Sequence, residues 1–130
     1  MDIERALEHF RKNGTGTLAT LRPDGSPHLS VVFASVVGDA LWISSSQPLV
    51  KVKNIRNDRR VAFSSGIRPW VTIEGTARIH DGDDVLERLR TYYRTARGEH
   101  PDWADYDRAM VEEQRLIIEI VPARAYGFAL

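Results

Sequence analysis

Cysteine is absent from this chain of 130 residues, which excludes disulfide bonds, thiolate nucleophiles and thiolate metal sites together. An excess of either charge is absent too, because 18 basic and 18 acidic side chains give a formal net charge of zero. Nothing in that balance indicates a nucleic-acid-binding surface. No apolar run approaches the length of a membrane span, and the first residues suit an amphipathic helix better than a signal peptide. These absences predict a cytoplasmic protein that binds neither nucleic acid nor membrane.

The motifs of several common enzyme classes are also missing. The four histidines, at positions 9, 28, 80 and 100, lack the HxH or HExxH spacing of metal sites, so we expect no metal. There is no GxSxG sequence, and without cysteine no Cys–His pair can form, which leaves nucleophilic hydrolysis without support. Gly14 and Gly16 precede a predicted strand, so they are not part of a dinucleotide-binding fingerprint. We therefore expect a bound cofactor to carry any reaction.

Short β-rich segments separated by turns dominate what is present. A helix starting at residue 3 ends at Asn13-Gly14, and two more helices are expected at 83–97 and 102–112. The predicted strands are 15–21, 26–37, 40–45, 60–65, 70–80, 116–121 and 125–129. No linker or internal repeat interrupts this order. It predicts one domain over 1–130, mainly β, with a six- to seven-stranded antiparallel barrel and peripheral helices.

The segment 41–58 is the strongest functional signal. It predicts a strand, a hydroxyl-rich turn at Ser44-Ser45-Ser46, and a helix that begins at Pro48. Hydroxyls, free backbone N–H groups and lysines would then meet at a helix N-terminus, which suits a phosphate. An ordinary capped surface helix with solvated lysines explains the same pattern. The helical spacing places three side chains of this helix towards the core, namely Leu49, Val52 and Ile55. It places four outward, namely Lys51, Lys53, Asn54 and Arg56.

Several blocks of the sequence, taken in order, resemble one known family. Residues 16–30 are similar to the opening hairpin of the pyridoxamine-phosphate-oxidase-like split barrels, and 51–62 and 70–77 are similar to the next two blocks. Residues 93–103 and 125–127 complete the pattern, so the resemblance covers nearly the whole chain. It is closest to the actinobacterial group B flavin/deazaflavin oxidoreductases, which bind the deazaflavin coenzyme F420 rather than FMN.

The resemblance implies a split β-barrel that forms a homodimer, with two cofactor grooves at the subunit interface and a small-molecule substrate. It also implies hydride transfer from the reduced deazaflavin to an activated C=C bond, as in an enone, a lactone or a conjugated pyrrole. The implied cofactor-binding residues fall into three groups: Ser44, Lys51, Lys53 and Asn54 at the phosphate and acidic tail, Trp70 beside the ring, and Ser30 and Val31 on a strand along the ring.

The chain departs from the family in two ways. Leu49 stands where relatives often have an arginine, so one expected anion contact is missing, and Lys53 is a candidate to compensate. The arginine-led apolar strand motif ending in lysine, found in the FMN-binding oxidases, is absent, which favours a deazaflavin over FMN. An FMN-dependent enzyme and a non-enzymatic carrier of a cofactor or tetrapyrrole stay open as alternatives. For the proton donor, His28, a tyrosine and water are equally open.

Overall fold

A closed barrel of six antiparallel strands forms the centre of the molecule, and the computed structural model describes all of residues 1–130. Around the barrel the strands follow the order β1-β2-β3-β6-β5-β4. Four helices surround it, which confirms the predicted antiparallel barrel with peripheral helices. The strands are β1 (Thr15–Leu21), β2 (Pro27–Val37), β3 (Ala40–Ser46), β4 (Arg60–Gly66), β5 (Trp70–His80) and β6 (Arg115–Phe128). The helices are α1 (Ile3–Lys12), α2 (Val50–Asn57), α3 (Val85–Arg97) and α4 (Trp103–Glu112).

Alternating apolar residues on the strands fill the barrel. In β5, Val71, Ile73 and Ala77 are fully buried, while Thr76 and Arg78 between and after them are exposed. This period of two is the pattern of a strand with one buried face. Helices α1 and α2 add Leu7, Phe10, Val52 and Ile55 to the same 19-residue core. The two helices therefore contribute to the interior of the barrel as well as to its surface.

The outer surface of the barrel is divided into a covered part and a bare part. Helices α3 and α4 pack on β2, β3 and β6, as the sequence predicted for the late helices. Trp42 and Ile117, which point outward from β3 and β6, join Leu89 and Tyr106 in a second apolar cluster there. Helices α3 and α4 leave the rest of the outer surface, formed by β1, β4 and parts of β2, β5 and β6, uncovered, although α1 and α2 contact several of these strands. Both the covered and the bare part bear on the site described below.

The last strand differs from expectation. Two strands were predicted on either side of Pro122, but β6 runs without a break from Arg115 to Phe128. An irregularity in its pairing with β5 falls at Glu74 and Gly75, where Gly75 pairs with Pro122 and Ala123 is passed over. A bulge of this kind tolerates a proline, which cannot donate to the ladder, without ending the strand. The barrel therefore has six strands rather than seven.

None of the four helices combines the length and apolar character that crossing a bilayer requires.

Candidate functional site

Helix α2 starts later than the sequence predicted. It begins at Val50 rather than Pro48, and Leu49 at its N-cap makes no side-chain cap hydrogen bond. The three serines lie in strand β3 rather than in a turn, because β3 continues to Ser46. Ser45 is buried, whereas Ser44 on the other side of the strand reaches the surface cleft described below. The predicted hydroxyl-rich turn directly before this helix is therefore wrong, and the site must be built from other contacts.

The division of α2 into inner and outer faces is also only partly as predicted. Val52 and Ile55 are buried, but Leu49 is 42% exposed and lies outside the core. Asn54 was expected to face outward, yet only 4% of it is exposed. Its Nδ2 donates a hydrogen bond of 3.1 Å to Oγ1 of Thr20, which is itself buried in β1. Asn54 thus fastens α2 to the barrel instead of presenting its amide to solvent.

The two lysines of α2 differ in their surroundings. Lys53 is exposed, as predicted, whereas Lys51 is half-buried. Burial lowers the pKa of Lys51, and repulsion by the nearby guanidinium of Arg115 lowers it further. Both effects disfavour the charged ammonium, and a bound anion would oppose both of them. Lys51 is therefore the lysine whose environment is suited to a negatively charged ligand.

A cleft of about 680 Å³ opens between the barrel and the α3/α4 pair. Its volume is within the range of small-molecule and cofactor sites. Ser44 supplies a hydroxyl, Arg97 and Arg115 supply positive charge, and no carboxylate is among the lining residues. The remaining lining side chains are Thr15, Phe33, Tyr92, Tyr93, Ala96, Tyr106 and Met110. The arrangement combines an aromatic wall with two guanidinium groups, of which Arg115 pairs with Glu113 outside the lining and Arg97 has no carboxylate partner. It suits a planar ligand with an anionic group.

Tyr92 holds one wall of this cleft in place. Its hydroxyl donates to the backbone oxygen of Phe33 at 3.0 Å, and its own backbone oxygen accepts a bond of 3.3 Å from Oγ of Ser35. Both contacts join α3 to β2. Burial raises the pKa of Tyr92, which keeps the phenol protonated and able to donate near neutral pH. These two hydrogen bonds fix the position of α3 against β2 beside the cleft.

Ser30 and Val31, the predicted ring-side residues, point to opposite sides of β2. Val31 is 74% exposed on the bare outer surface, in line with Leu29 and Phe33 on the same strand. Ser30 turns inward, where its Oγ is buried without a hydrogen-bond partner. Nδ1 of His28 is enclosed in the same way. Of these two predicted residues, only Val31 therefore presents its side chain to a ligand outside the barrel.

Trp70 is not part of the cleft. It opens β5 and packs edge-on against Tyr126, with 6.1 Å between the ring centroids. From β5 to β3 around the bare side, the barrel passes through β4, β1 and β2, so four of its six strand spacings separate Trp70 from Ser44 on that path. By way of β6 the separation is also large, because Ser44 pairs with Ile117 and Trp70 with Phe128. Of the predicted cofactor-binding residues, Ser44 therefore lines the cleft, Lys51 lies near its Arg115, and Trp70 lies outside it.

Arg97 and Arg115 are the site residues that the sequence did not reveal. Neither belongs to a recognisable motif, and 18 basic side chains are spread along the chain. One signal was available for Arg115, because Leu116, Ile118 and Ile120 alternate inward and so place Arg115 on the outer side of β6. That signal could not show that the end of α3 would bring Arg97 to the same cleft.

Similarities to known proteins agree with the barrel fold. The sequence profile of the pyridoxamine 5'-phosphate oxidase family matches residues 3–129. The conserved hypothetical protein Rv2991 from Mycobacterium tuberculosis is 27% identical with a TM-score of 0.79, over 98% of this chain and 84% of that one.

Two further solved structures share the fold at lower identity. An F420 reductase is 21% identical with a TM-score of 0.68, over 92% of this chain and 94% of that one. A heme-binding protein from Mycobacterium smegmatis is 20% identical with a TM-score of 0.75, over 98% of this chain and 53% of that one. Identities this low show a shared fold and no more. Because the family profile spans almost the entire sequence, the chain belongs to the pyridoxamine 5'-phosphate oxidase family.

Proposed function

We propose that this protein is an oxidoreductase that uses the deazaflavin coenzyme F420 to reduce an activated C=C bond of a small molecule. The observation that carries the proposal is the cleft that Ser44, Arg97 and Arg115 line, with Lys51 of α2 close enough to Arg115 to be affected by its charge. The family provides the context, since flavin-type cofactors are bound by this fold. The likeness to an F420 reductase supports the deazaflavin. The absence of the arginine-led apolar strand motif found in the FMN-binding oxidases also supports the deazaflavin.

The residues present fit the anionic part of such a cofactor. A phosphate next to Lys51 and Arg115 would be held by two cations, and the hydroxyl of Ser44 would donate a further hydrogen bond. Lys53 is exposed two residues further along α2, on a different side of the helix from Lys51, where it would attract a longer acidic tail and so compensate for the leucine at position 49. Asn54 supports these contacts from inside by fixing α2 to Thr20.

The chemistry of hydride donation is supplied by the deazaflavin ring when it is bound. The residues of the chain would bind the cofactor, orient its ring and enclose it. Phe33 and Tyr92 form an apolar wall that limits the positions of a planar ring and excludes water from one side of it. A fixed orientation is valuable because hydride transfer requires the reacting atoms to be close and aligned. The cations hold the far end of the ligand and so govern affinity rather than the chemical step.

The shared site requires a homodimer, which we include in the proposal. The bare outer surface carries a row of exposed apolar side chains on β2, with Leu29 at 63%, Val31 at 74% and Phe33 at 42% exposure, and Phe128 at 50% on β6. Apolar groups clustered in this way favour burial against another protein surface. A second copy on this surface would cover the row. It would also offer its own Trp70 to the cleft, which one chain cannot do.

Light scattering tests the dimer directly. We expect a dimer at micromolar concentration, and Val31→Glu to shift the protein towards monomer by placing a charge in the interface. Val111→Glu is the matched control, since Val111 is 65% exposed on α4, away from the bare surface. A wild-type monomer, or equal behaviour of the two variants, would contradict both the dimer and the shared site.

Replacing Lys51 by alanine tests the anion site. Charge-assisted contacts to a phosphate contribute about 1.5–3 kcal/mol, so Lys51→Ala should weaken deazaflavin binding roughly ten- to hundredfold. Lys12→Ala, at the end of α1, is the control and should leave the affinity unchanged. Fluorescence titration at two salt concentrations measures both, and the difference between them should shrink at high salt because of screening. Equal affinities for the two variants would place the anion elsewhere.

Two alternative functions are separated by turnover. Reduced deazaflavin should be consumed in the presence of an enone or lactone, whereas NADPH should not replace it, since no dinucleotide fingerprint is present. Trp70→Ala should lower the turnover rate more than the affinity.

The heme-binding relative favours a tetrapyrrole or cofactor carrier as the second candidate, which predicts tight binding without turnover. An FMN-dependent enzyme predicts instead that the protein is isolated with FMN.

A further inference from the structure

The four tyrosines of the chain differ in what their hydroxyl groups contact. Tyr92 donates to the backbone oxygen of Phe33 at 3.0 Å, and Tyr106 donates to that of Leu89 at 2.9 Å. Both of these protons are therefore held by the chain itself. Tyr93 lines the cleft from α3, where its ring belongs to an aromatic cluster at the junction with α4. None of the three lies on the bare outer surface.

Tyr126 is the tyrosine of the bare outer surface. The residue is 40% exposed, and its hydroxyl donates to Oε2 of Glu74 at 2.6 Å. Arg124 donates its Nε to the other oxygen of the same carboxylate, also at 2.6 Å. The guanidinium balances the charge of Glu74, and the carboxylate fixes the position of the phenol. The result is an oriented hydroxyl group beside open solvent.

Glu74 also keeps the phenol of Tyr126 protonated. The hydrogen bond to the carboxylate raises the pKa of Tyr126, and burial adds to this effect. The same bond lowers the pKa of Glu74, so the carboxylate remains the acceptor at neutral pH. A phenolate at position 126 would be repelled by Glu74 and would therefore take up a proton from the water that reaches this side chain. Tyr126 can thus give up a proton and recover it from solvent.

Tyr126 lies beside the residue that we expect at the cofactor ring. Its own ring packs edge-on against Trp70, with 6.1 Å between the centroids. The register of β5 and β6 pairs Thr72 with Tyr126, so Trp70 is only two residues from the position opposite Tyr126 and points to the same side of the sheet. In the proposed dimer, the copy that offers Trp70 to a cleft therefore offers Tyr126 with it.

We propose that Tyr126 is the proton donor in the reduction of the C=C bond, acting at the cleft of the other copy. This proposal rests on the proposed function and its dimer. The β-carbon of an enone receives the hydride of the reduced deazaflavin, and the electron pair of the double bond moves towards the carbonyl group. The O–H bond of Tyr126 then breaks, and its proton forms the new C–H bond at the α-carbon. The phenolate recovers a proton from water.

Two hydride acceptors, cyclohexenone and nitrostyrene, separate proton donation from hydride transfer. Hydride addition to a nitroalkene leaves a nitronate, an anion that is stable without an immediate proton, whereas the enolate formed from an enone must be protonated. Tyr126→Phe should therefore slow the reduction of cyclohexenone about a hundredfold or more, the usual contribution of a general acid. It should leave the oxidation of reduced deazaflavin by nitrostyrene nearly unchanged, which also shows that the variant is folded.

Trp70→Ala and Tyr93→Phe are the controls. If Tyr126 only supported the ring of Trp70, its loss would resemble Trp70→Ala, which should slow the reaction with both acceptors because the cofactor ring is less well held. Tyr93→Phe removes a different hydroxyl group, on the lining of the cleft itself. It should leave the ratio of the two rates close to that of the wild type.

Binding of a ketone gives a readout that does not depend on turnover. In protein isotope-labelled at the Cζ atom of tyrosine, the nuclear magnetic resonance signal of Tyr126 is identified by its absence from Tyr126→Phe. Cyclohexanone has no C=C bond to reduce, and its carbonyl oxygen can accept the hydrogen bond of the proton donor. Adding it to the protein with oxidised deazaflavin should shift the signal of Tyr126. The signal of Tyr106, whose hydroxyl is bonded to Leu89, should stay in place.

The outcomes separate the proton donor from the proposed function. If Tyr126→Phe reduces cyclohexenone as fast as the wild type, or loses both acceptors equally, the assignment is refuted and the proposed function stands. The assignment is refuted in the same way if cyclohexanone leaves the signal of Tyr126 unmoved. If the wild type oxidises reduced deazaflavin with neither acceptor, the proposed function fails, and the role of Tyr126 fails with it.

Discussion

Asn54→Ala tests whether this residue holds the site together from inside. The substitution removes the 3.1 Å hydrogen bond to Thr20 and leaves Oγ1 of Thr20 buried without a partner. Loss of a buried hydrogen bond of this kind costs about 1–3 kcal/mol. With an unfolding entropy of about 2.1 cal/mol/K per residue over the 130 residues, a loss of about 2 kcal/mol lowers Tm by roughly 7 °C. We expect a change of that size in the free energy of unfolding measured with urea.

The control for Asn54 lies on the same helix. Asn57 is exposed at the last position of α2, so Asn57→Ala should change the stability by no more than about 0.5 kcal/mol. Thr20→Val removes the other partner, and the double variant should be less destabilised than the two single losses added together. Equal stability of the Asn54 and Asn57 variants, or simple additivity with Thr20→Val, would show that the Asn54–Thr20 hydrogen bond does not stabilise the fold. A loss of cofactor affinity with unchanged stability would instead make Asn54 a direct ligand.

Two further predictions concern the barrel. Burial lowers the pKa of His9 below its usual 6.5, so the unfolded chain takes up a proton more readily than the folded one. The free energy of unfolding measured with urea should therefore decline as pH falls below about 6.5. His9→Leu should reduce that decline. A His9→Leu variant that kept the full decline would contradict the role assigned to His9. A Cβ at Gly75 would lie 2.1 Å from the backbone oxygen of Val121, so Gly75→Ala should lower Tm severely. Gly82→Ala, with open space around it, should not.

Periodic features of the sequence predicted the barrel well. Alternation along 70–80 identified β5 and its buried side, and the spacing of turns gave the order of strands and helices. Such patterns work because a strand with one buried face must alternate, whatever its neighbours are. Pro122 misled the prediction, since a proline normally ends pairing. Here the irregularity opposite Gly75 allows the strand to continue, and that pairing is set by β5 rather than by local sequence.

The site was harder to predict because its residues are brought together by packing. Lys51 was identified from its place near the start of a helix, and the structure puts it beside Arg115. The orientation of Asn54 was wrong, because its spacing fits the outer face while a buried threonine on β1 supplies a partner inside. Arg97 carries no local signal at all. Its role depends on how the end of α3 meets the barrel, a contact between segments distant in sequence.

Side-by-side titration of the cofactor-free protein with the deazaflavin coenzyme and with FMN is the most direct test of whether the protein binds a deazaflavin in preference to FMN. We expect the deazaflavin to bind more tightly than FMN, and the difference in affinity to fall when Lys51 is replaced by alanine. Tighter binding of FMN, or binding of the deazaflavin that does not depend on Lys51, would contradict it.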